Sequence, residues 1–337
     1  MVSLIIILAL VLFVPFFSKT VERNLEFFLF LMGLFAVLVS HVYDSTLLIK
    51  AVKDPFKITL AVLVAGLLFK WFQKPIEKSI LGLSRAMPLR LFLYLIVISL
   101  GLISSVITAI IAAIVLVTIV SVLHLDRKSE VRFVVLACYS IGLGAVLTPI
   151  GEPLSTIATS KLNEDFFFLL QLIGPEVIPG IILFGLLAAI LIKPNKMINK
   201  SSVKQKTESY MDIIIRGFKV YLFVMALTLL GAGFEPFIER YLLNVSPLVL
   251  YWINMISAVL DNATLAAAEI SPTMDNATIQ AILLGLLVSG GMLIPGNIPN
   301  IIAAGKLSIT SMEWARFAVP IGFLAMISYF IVIITIS

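Results

Sequence analysis

Two short polar segments interrupt apolar stretches of this chain, and each carries a carboxylate. Thr148-Pro-Ile-Gly-Glu-Pro153 contains Glu152, and Asp261-Asn-Ala-Thr264 lies within a predominantly apolar stretch from residue 248 to 268. A carboxylate in hydrocarbon costs roughly 2.5–3.5 kcal/mol even on the lower, translocon-derived scale, so it is retained where it lines a water-filled cavity or meets a cation. We therefore interpret the two segments as halves of one site.

Asp261 is the strongest candidate, and it has two compatible roles. As the N-cap of a short helix over 262–270, it would accept a hydrogen bond from a backbone N–H. As a ligand, it would combine with the oxygens of Asn262 and Thr264 and with carbonyls freed at a helix break, which is the hard-oxygen set that a sodium ion requires. Because Ser or Asn could cap the helix at lower cost in a membrane, the ligand role is favoured over capping alone.

Glu152 lies between two prolines and beside Gly151, in a segment that cannot continue as helix and leaves carbonyls available to an ion. The alternative is a kink whose Glu152 faces a crevice or an Arg partner. Thr148 and Ser155 are possible secondary ligands, although such hydroxyls often bond back to a helical carbonyl.

Three further sets of polar residues are candidates. They are the amides Asn297 and Asn300, the hydroxyls Ser104, Ser105 and Thr108, and the carboxylate Glu176. The amides could bind an ion or cap a helix, and the hydroxyls could bind an ion or simply permit close helix packing. The carboxylate could relay protons or face lipid headgroups near a proline kink.

Composition predicts a membrane protein. Apolar residues make up 61% of the 337 residues and charged residues 13%, with a mean hydropathy of +1.13, which leaves too little polar surface for a water-soluble globule. The apolar runs are continuous rather than alternating, which predicts transmembrane helices and not a β-barrel. The single Cys138 excludes an internal disulfide, and two histidines predict no histidine metal cluster. We expect the N-terminal run to be a retained membrane helix and not a signal peptide.

The distribution of charge predicts the topology. Basic residues flank the long apolar stretch 91–123 on both sides, whereas acidic or neutral residues, including Glu269, flank the stretch 246–270. Re-entrant hairpins with tips at 103–108 and 260–264 bring nineteen of the 24 Lys and Arg residues to one face, which the positive-inside rule identifies as cytoplasmic. This distribution explains the net charge of +5 without a nucleic-acid partner.

The resulting prediction is an all-α polytopic membrane protein with two inverted-topology repeats, each with a re-entrant helical hairpin and a broken transmembrane helix. The predicted parts are two N-terminal scaffold helices (1–54), repeat 1 (55–192, break at 148–154), a cytoplasmic linker (193–212) and repeat 2 (213–337, break at 294–300). We expect these repeats to lie in the cell membrane and to form a site near its midplane.

The charge of the candidate site favours a cation. Carboxylates occur at both segments with no basic residue near either, whereas an anion site requires donors. Buried paired carboxylates let protons and sodium compete for the same oxygens, and competition at a site that faces alternate sides is antiport. The alternative is a sodium-coupled carrier of organic anions or oxyanions. An intramembrane enzyme is disfavoured, because the sequence offers neither a zinc-binding pair nor a nucleophile with a base, and no cofactor is expected.

These motifs resemble the ion transporter superfamily, which includes NhaD-type sodium/proton antiporters, arsenite permeases, and citrate and dicarboxylate carriers. They also resemble a small prokaryotic family of proposed cation transporters. Asp261-Asn262 is similar to the antiporters' Asp-Asn motif, and Thr148-Pro149 with Gly151 is similar to their Thr-Pro-Gly break. The resemblance covers about residues 90–310 and implies a homodimer in which a hairpin domain moves like an elevator against a scaffold.

The chain departs from the superfamily pattern in three ways. Ser104-Ser105 stands where these carriers have an Asn-containing tip, Glu152 replaces a common Asn, and the chain is shorter than most members. These departures leave the ion stoichiometry open.

Overall fold

The described part of this computed structural model is α-helical, with no strand among the described residues. The structure describes residues 2–18, 20–21, 24–53, 55–56, 59–60, 63–64, 67, 70–71, 82, 86–123, 125–192, 210–241, 246–255, 262–270 and 274–336. Four helical segments of 19 to 25 residues are long and apolar enough to cross a bilayer: Leu89–Ile107, Phe168–Leu191, Ile213–Phe237 and Ser311–Thr335. The protein is therefore an all-α, membrane-embedded protein.

Helices make up most of the described part of the chain. In chain order they are α1 (Val2–Phe17), α2 (Leu25–Ser40), α3 (Leu89–Ile107), α4 (Ala109–Leu123), α5 (Arg127–Ala145), α6 (Pro153–Leu162), α7 (Phe168–Leu191), α8 (Tyr210–Tyr241), α9 (Pro247–Ile253), α10 (Asn262–Glu269), α11 (Asn276–Gly290), α12 (Ile298–Leu307) and α13 (Ser311–Ile336). Residues 45–53 are also helical.

Helices α2 and α8 pack along much of their length, and small residues bring their backbones together. A Cβ on Gly33 of α2 would lie 2.9 Å from the carbonyl oxygen of Ala226 on α8, so a larger residue would force the helices apart. The pair is also joined by an ion pair between Lys219 Nζ and Glu26 Oε1 at 2.7 Å. Together with α1, which packs on α2, they form one side of the molecule.

The other helices form two sets with matching internal order. The first set is α3, α4, α5, α6 and α7, and the second is α9, α10, α11, α12 and α13. In each set the first helix packs on the third, as α3 does on α5 and α9 does on α11. Contacts between the sets are also matched, because α4 packs against α12 while α10 packs against α6.

Two helical paths are interrupted by proline- and glycine-rich segments. The path of α5 stops at Ala145 and resumes at Pro153 in α6, and the path of α11 stops at Gly290 and resumes at Ile298 in α12. Proline lacks a backbone N–H and has a φ suited to the first helical turn, so Pro153 and Pro299 begin new helices rather than continue old ones. We call residues 146–152 the first break and residues 291–297 the second break.

Candidate functional site

The first break is tied to the turn between α3 and α4 by main-chain atoms. The N–H of Ala109, the first residue of α4, donates to the carbonyl oxygen of Gly151 at 2.9 Å. The Oγ1 of Thr148 donates to the carbonyl oxygen of Ser105 at 2.5 Å. Gly151 itself packs against the carbonyl of Ala145, where a Cβ would overlap the oxygen. The break and the turn therefore form one closely packed unit.

Glu152 is the last residue of the first break and is 6% exposed. It directly precedes α6, and its carbonyl oxygen accepts from the Oγ of Ser155 at 2.7 Å and from the N–H of Thr156 at 3.3 Å. A carboxylate at this end of a helix is stabilised by the free N–H groups and by the helix dipole. The local structure therefore holds a buried acidic side chain at the start of α6.

The predicted hairpin tip at 103–108 is shorter in the structure. Helix α3 continues to Ile107, and Thr108, with φ of 76°, is the residue outside the helices. Ser104 donates to the carbonyl oxygens of Gly101 at 2.6 Å and of Ile141 at 3.0 Å, so it joins α3 to α5. Ser105 donates to the carbonyl of Leu102 at 2.7 Å. Both hydroxyls bond to helical carbonyls, which is the packing role that the sequence left open.

The second break is braced by Asn300 of α12. This side chain is fully buried, and its Nδ2 donates to the carbonyl oxygens of Gly290 at 2.9 Å and Leu293 at 3.0 Å. Its Oδ1 is buried and has no hydrogen-bond partner among the described residues. Asn300 thus closes the gap between α11 and α12 and presents an oxygen as well.

Asn297 occupies the N-cap position of α12 but does not cap with its side chain. Its Nδ2 instead faces α5, where it would lie 2.7 Å from a Cβ on Gly142. The side chain of Asn297 therefore does not cap α12, which was one of its two predicted roles. The amide links the second break to the helix that leads into the first.

Asn262 lies at the second break as the first residue of α10. Its Nδ2 is buried without a hydrogen-bond partner in the described part of the chain and lies 3.7 Å from where a Cβ on Gly290 would be. Asp261 lies outside the described residues, and the side chain of Thr264 is likewise outside the description. The pairing of Asp261 with Glu152 stays a prediction, and the described neighbour of α6 is α10, which begins directly after Asp261.

Four helices begin at the two breaks or at the turns that contact them. Helices α4 and α6 begin on either side of the Ala109–Gly151 hydrogen bond, and α10 and α12 begin beside Gly290 and Asn297. The first N–H groups of these helices have no intrahelical partner, so each start carries partial positive charge. Such an arrangement stabilises carboxylates and leaves carbonyls of the broken segments available to a cation.

One known protein family matches this chain along almost its whole length. The profile of one family, described as "Protein of unknown function (DUF1646)", matches residues 1–336. The chain belongs to the DUF1646 family. No curated protein matches the chain.

Glu176 of the DUF1646 protein lies on α7, between Pro175 and Pro179. The side chain is partly buried, and its Oε2 has no hydrogen-bond partner among the residues described. Its carbonyl oxygen accepts from the hydroxyl of Tyr329 on α13 at 3.1 Å. This residue therefore sits at a contact between the two helical sets and outside both breaks.

A buried carboxylate in the second set was missed by sequence reasoning. Glu269 was expected on a polar flank of the stretch 246–270, but it is 1% exposed at the end of α10. Both of its oxygens are buried without a hydrogen bond in the described part, and Asn254 is its polar neighbour. The available signal was helical spacing, because Glu269 follows Asn262 by seven residues and so lies on the same face of α10.

A second missed feature is a clamp built on Arg127. Its Nε and Nη2 bind Glu313 at 2.7 and 2.8 Å, and its Nη1 binds Glu130 at 2.7 Å. The same guanidinium donates to the carbonyl oxygens of Leu307 at 3.0 Å and Ser308 at 2.7 Å. Arg127 therefore ties the start of α5 to the end of α12, using the planar fork of donors that Arg offers.

The side chains that most often bind metals are His, Cys, Asp and Glu. Among the described residues of the DUF1646 protein, no group of three or more His, Cys, Asp or Glu side chains is positioned to hold a metal ion. Cys138 is buried, with its Sγ 3.8 Å from the carbonyl oxygen of Pro299.

Proposed function

We propose that this DUF1646 protein is a secondary active cation transporter that exchanges sodium for protons. The observation that carries the proposal is the burial of Glu152 at the first break, where a helical path is interrupted. If this path lies in the membrane, as we propose, an acidic side chain there is expensive unless it is paired or binds a cation or a proton. Its place in a gap between two half-helices is the arrangement in which transporters bind ions.

The chemistry follows from the groups around the break. The carboxylate of Glu152 supplies negative charge, and the non-helical residues 146–151 supply carbonyl oxygens, which are the hard ligands that sodium prefers. The start of α6 moderates the cost of the charge. A proton and a sodium ion cannot occupy the same carboxylate oxygen together, so loading one releases the other.

We further propose that the two helical sets are inverted repeats with re-entrant hairpins, α3–α4 and α9–α10. The matched contacts between sets, α4 with α12 and α10 with α6, support a two-fold relation. Helix length supports re-entry in the second hairpin, because eight residues of α10 extend about 12 Å, against a hydrocarbon core of about 30 Å. The half-helices α6 and α12, with ten residues each, are also too short to span the core.

Alternating access would come from movement of these sets against α1, α2 and α8. A small apolar cluster joins α8 to the sets, with Val224 packed against Ala113, Ile114 and Ile302. The side chains of this cluster are aliphatic, and apolar contacts are non-directional, which supports elevator-like motion. By resemblance to the ion transporter superfamily, we also propose a homodimer in the cell membrane, with residues 193–212 on the cytoplasmic side.

The second candidate function is a sodium-coupled carrier of an organic anion or oxyanion. The neutral second break favours it, because Asn262 Nδ2 is a buried donor without a partner in the described part of the chain. The start of α12 lies close by and adds unpaired N–H groups. Donors of this kind would bind a carboxylate while Glu152 holds the coupling ion.

Proteoliposomes with an internal pH dye test both functions. The purified protein is challenged in turn with sodium, lithium, potassium and dicarboxylates, and antiport predicts a sodium-driven pH change. Glu152→Gln and Asp261→Asn should each lower this exchange by at least tenfold while reconstitution is unchanged. Glu164→Gln, on an exposed residue, is the matched control and should retain full exchange.

The outcomes separate the candidates. Full exchange in both the Glu152 and the Asp261 variants would exclude the proposed site. A dicarboxylate uptake that requires sodium, with no sodium-driven proton movement, would favour the anion carrier.

A further inference from the structure

Glu269 is a buried acid that the proposed exchange at Glu152 does not use. It lies at the end of α10, a helix that packs against α6, α8 and α11. Both carboxyl oxygens are buried without a hydrogen bond in the described part of the chain. The ion pairs described in this protein join other carboxylates, Glu26, Glu130 and Glu313, to basic side chains.

Asn254 is the polar side chain beside Glu269, and it is 1% exposed. It lies at the end of α9, and neither its Oδ1 nor its Nδ2 has a hydrogen-bond partner among the described residues. The two side chains are close neighbours. Two helices thus direct unsatisfied polar groups to one buried place.

The position of Asn254 is fixed by its contacts with α11. Gly285 allows α9 to approach closely, since a Cβ there would lie 2.9 Å from the carbonyl oxygen of Tyr251 and 3.4 Å from Asn254 Cβ. One turn later, Ser289 Oγ donates to the carbonyl oxygen of Asn254 at 2.8 Å. Tyr251 in turn donates to the carbonyl oxygen of Met326 on α13 at 2.7 Å. These contacts fix the backbone and Cβ of Asn254, while its Oδ1 and Nδ2 have no hydrogen-bond partner in the described part of the chain.

Buried polar groups are normally satisfied, and exceptions usually mark a function or an absent ligand. Removing a carboxylate from water costs far more than removing an amide, and a nearby cation is what compensates it. Two carboxylate oxygens and one amide oxygen are a ligand set for a small hard cation. An anion would be repelled by the same oxygens.

We propose that Glu269 and Asn254 form a second cation site, which takes a small monovalent cation of the sodium class. The inference rests on the proposed function, since the choice of sodium as the bound ion follows from a transporter that moves sodium. The site is distinct from the breaks, because Glu269 lies about 10 Å along α10 from Asn262. Its role is to bind an ion between α9 and α10, which strengthens the contact between the two legs of the second hairpin.

Equilibrium binding of radioactive sodium to the purified full-length protein tests the site. The wild-type protein should bind two ions per protomer, and Glu269→Gln should bind one. Glu152→Gln should also bind one, and the double variant none. Glu164→Gln, an exposed control, should retain both ions.

A second measurement guards against a merely structural effect. Sodium should raise the thermal midpoint of the wild-type protein, and Asn254→Ala, which removes one ligand but keeps the acid, should weaken one of the two binding steps at least tenfold. If Glu269→Gln folds poorly, this variant carries the test alone.

The stoichiometries distinguish the two proposals. One ion in the wild-type protein, lost in the Glu152 variant and kept in the Glu269 variant, overturns the second site and leaves the transport proposal standing. One ion that is lost only in the Glu269 variant supports the second site and overturns the role given to Glu152. No sodium binding to the wild-type protein overturns both.

Discussion

The two breaks of this protein share a backbone plan but differ in what closes them. The first break is closed mainly by main-chain contacts, with Ala109 N bonded to Gly151 O and Gly151 packed on the carbonyl of Ala145, and by one hydroxyl, that of Thr148 on Ser105 O. The second is closed by a side chain, because Asn300 donates to both Gly290 and Leu293. The first carries an acid, Glu152, and the second carries only amides at the matching places.

This difference concerns how rigidly each break is held and which polar groups each break carries. A charged ligand is best held where the surrounding backbone is fixed, because its cost is compensated only in a narrow geometry. A break that depends on one amide can rearrange by rotating that amide. We therefore propose that the first break holds the ion and that the second is the more adaptable of the two, which variants of each break would test.

The largest expected effect is steric, and it should differ between the breaks. A Cβ at Gly151 would overlap the backbone carbonyl of Ala145, whereas one at Gly290 would lie 3.0 Å from the carbonyl oxygen of Gly296. We expect Gly151→Ala to lower the free energy of unfolding by about 3 kcal/mol and Gly290→Ala by about 1 kcal/mol, in the range of overpacked cores. Thermal unfolding of the purified protein in detergent, followed by intrinsic fluorescence, measures both.

Gly305 of α12 provides the matched control, because a Cβ there would meet nothing within 4 Å. Gly305→Ala should be neutral or should stabilise by about 0.5 kcal/mol, since Ala has the higher helix propensity. Equal losses for Gly151→Ala and Gly290→Ala would show that the two breaks are equally rigid.

The second prediction concerns the hydrogen bonds that close each break. Asn300→Ala removes the side-chain donor to Gly290 O and to Leu293 O, of which Leu293 O keeps the N–H of Gly296, and should lower the free energy of unfolding by about 2 kcal/mol. Thr148→Val keeps the shape but removes the hydroxyl that donates to Ser105 O and accepts from Ile150 N–H, and should cost about 1 kcal/mol. The same unfolding measurement applies, with Asn276→Ala on an exposed residue as control. If Thr148→Val lowers the free energy of unfolding more than Asn300→Ala does, the first break, and not the second, depends more on a side-chain hydrogen bond.

The positions of both breaks were predictable from the sequence, because proline and glycine act locally. Pro153 and Pro299 lie in the first turns of α6 and α12, within the segments 148–154 and 294–300, whereas Pro175 and Pro179 lie inside α7. The extent of α3 was not predictable in the same way. Ser104 and Ser105 remain helical because their hydroxyls bond to carbonyls, which a polar pattern cannot distinguish from a turn.

Burial of single polar residues was the part that sequence could not supply. Glu269 has the same local sequence signal as a solvated flank, and only its packing against helices distant in the chain makes it buried. The Arg127 clamp likewise joins residues separated by 180 or more positions. Asp261, the residue with the clearest sequence signal, lies outside the described residues, so its role stays a prediction.

The smallest expected effect concerns a feature that α5 and α11 share, an aspartate that caps the start of the helix. Asp126 caps α5 through the N–H of Ser129 at 3.2 Å, and Asp275 caps α11 through the N–H of Thr278 at 2.7 Å. Both acids lie at helix starts, outside the four candidate membrane spans found among the described residues. The hydrogen bonds from Ser129 and from Thr278, through hydroxyl and then main chain, hold the pKa of each carboxyl below its ordinary value of 3.8.

A lowered folded-state pKa means that each cap stabilises the protein fully above the ordinary value and loses that contribution as the pH falls through the lowered one. Asp126→Asn and Asp275→Asn keep a good capping residue but remove the titration. We expect thermal midpoints equal to wild type at pH 7 and a weaker decline than wild type between pH 5 and about pH 2.5.

The two variants should be alike and additive in the double variant, because the caps sit on separate helices. A decline in the double variant as steep as that of wild type would show that other carboxylates account for the acid sensitivity, and an effect confined to Asp126→Asn would extend the asymmetry of the breaks to the helix starts.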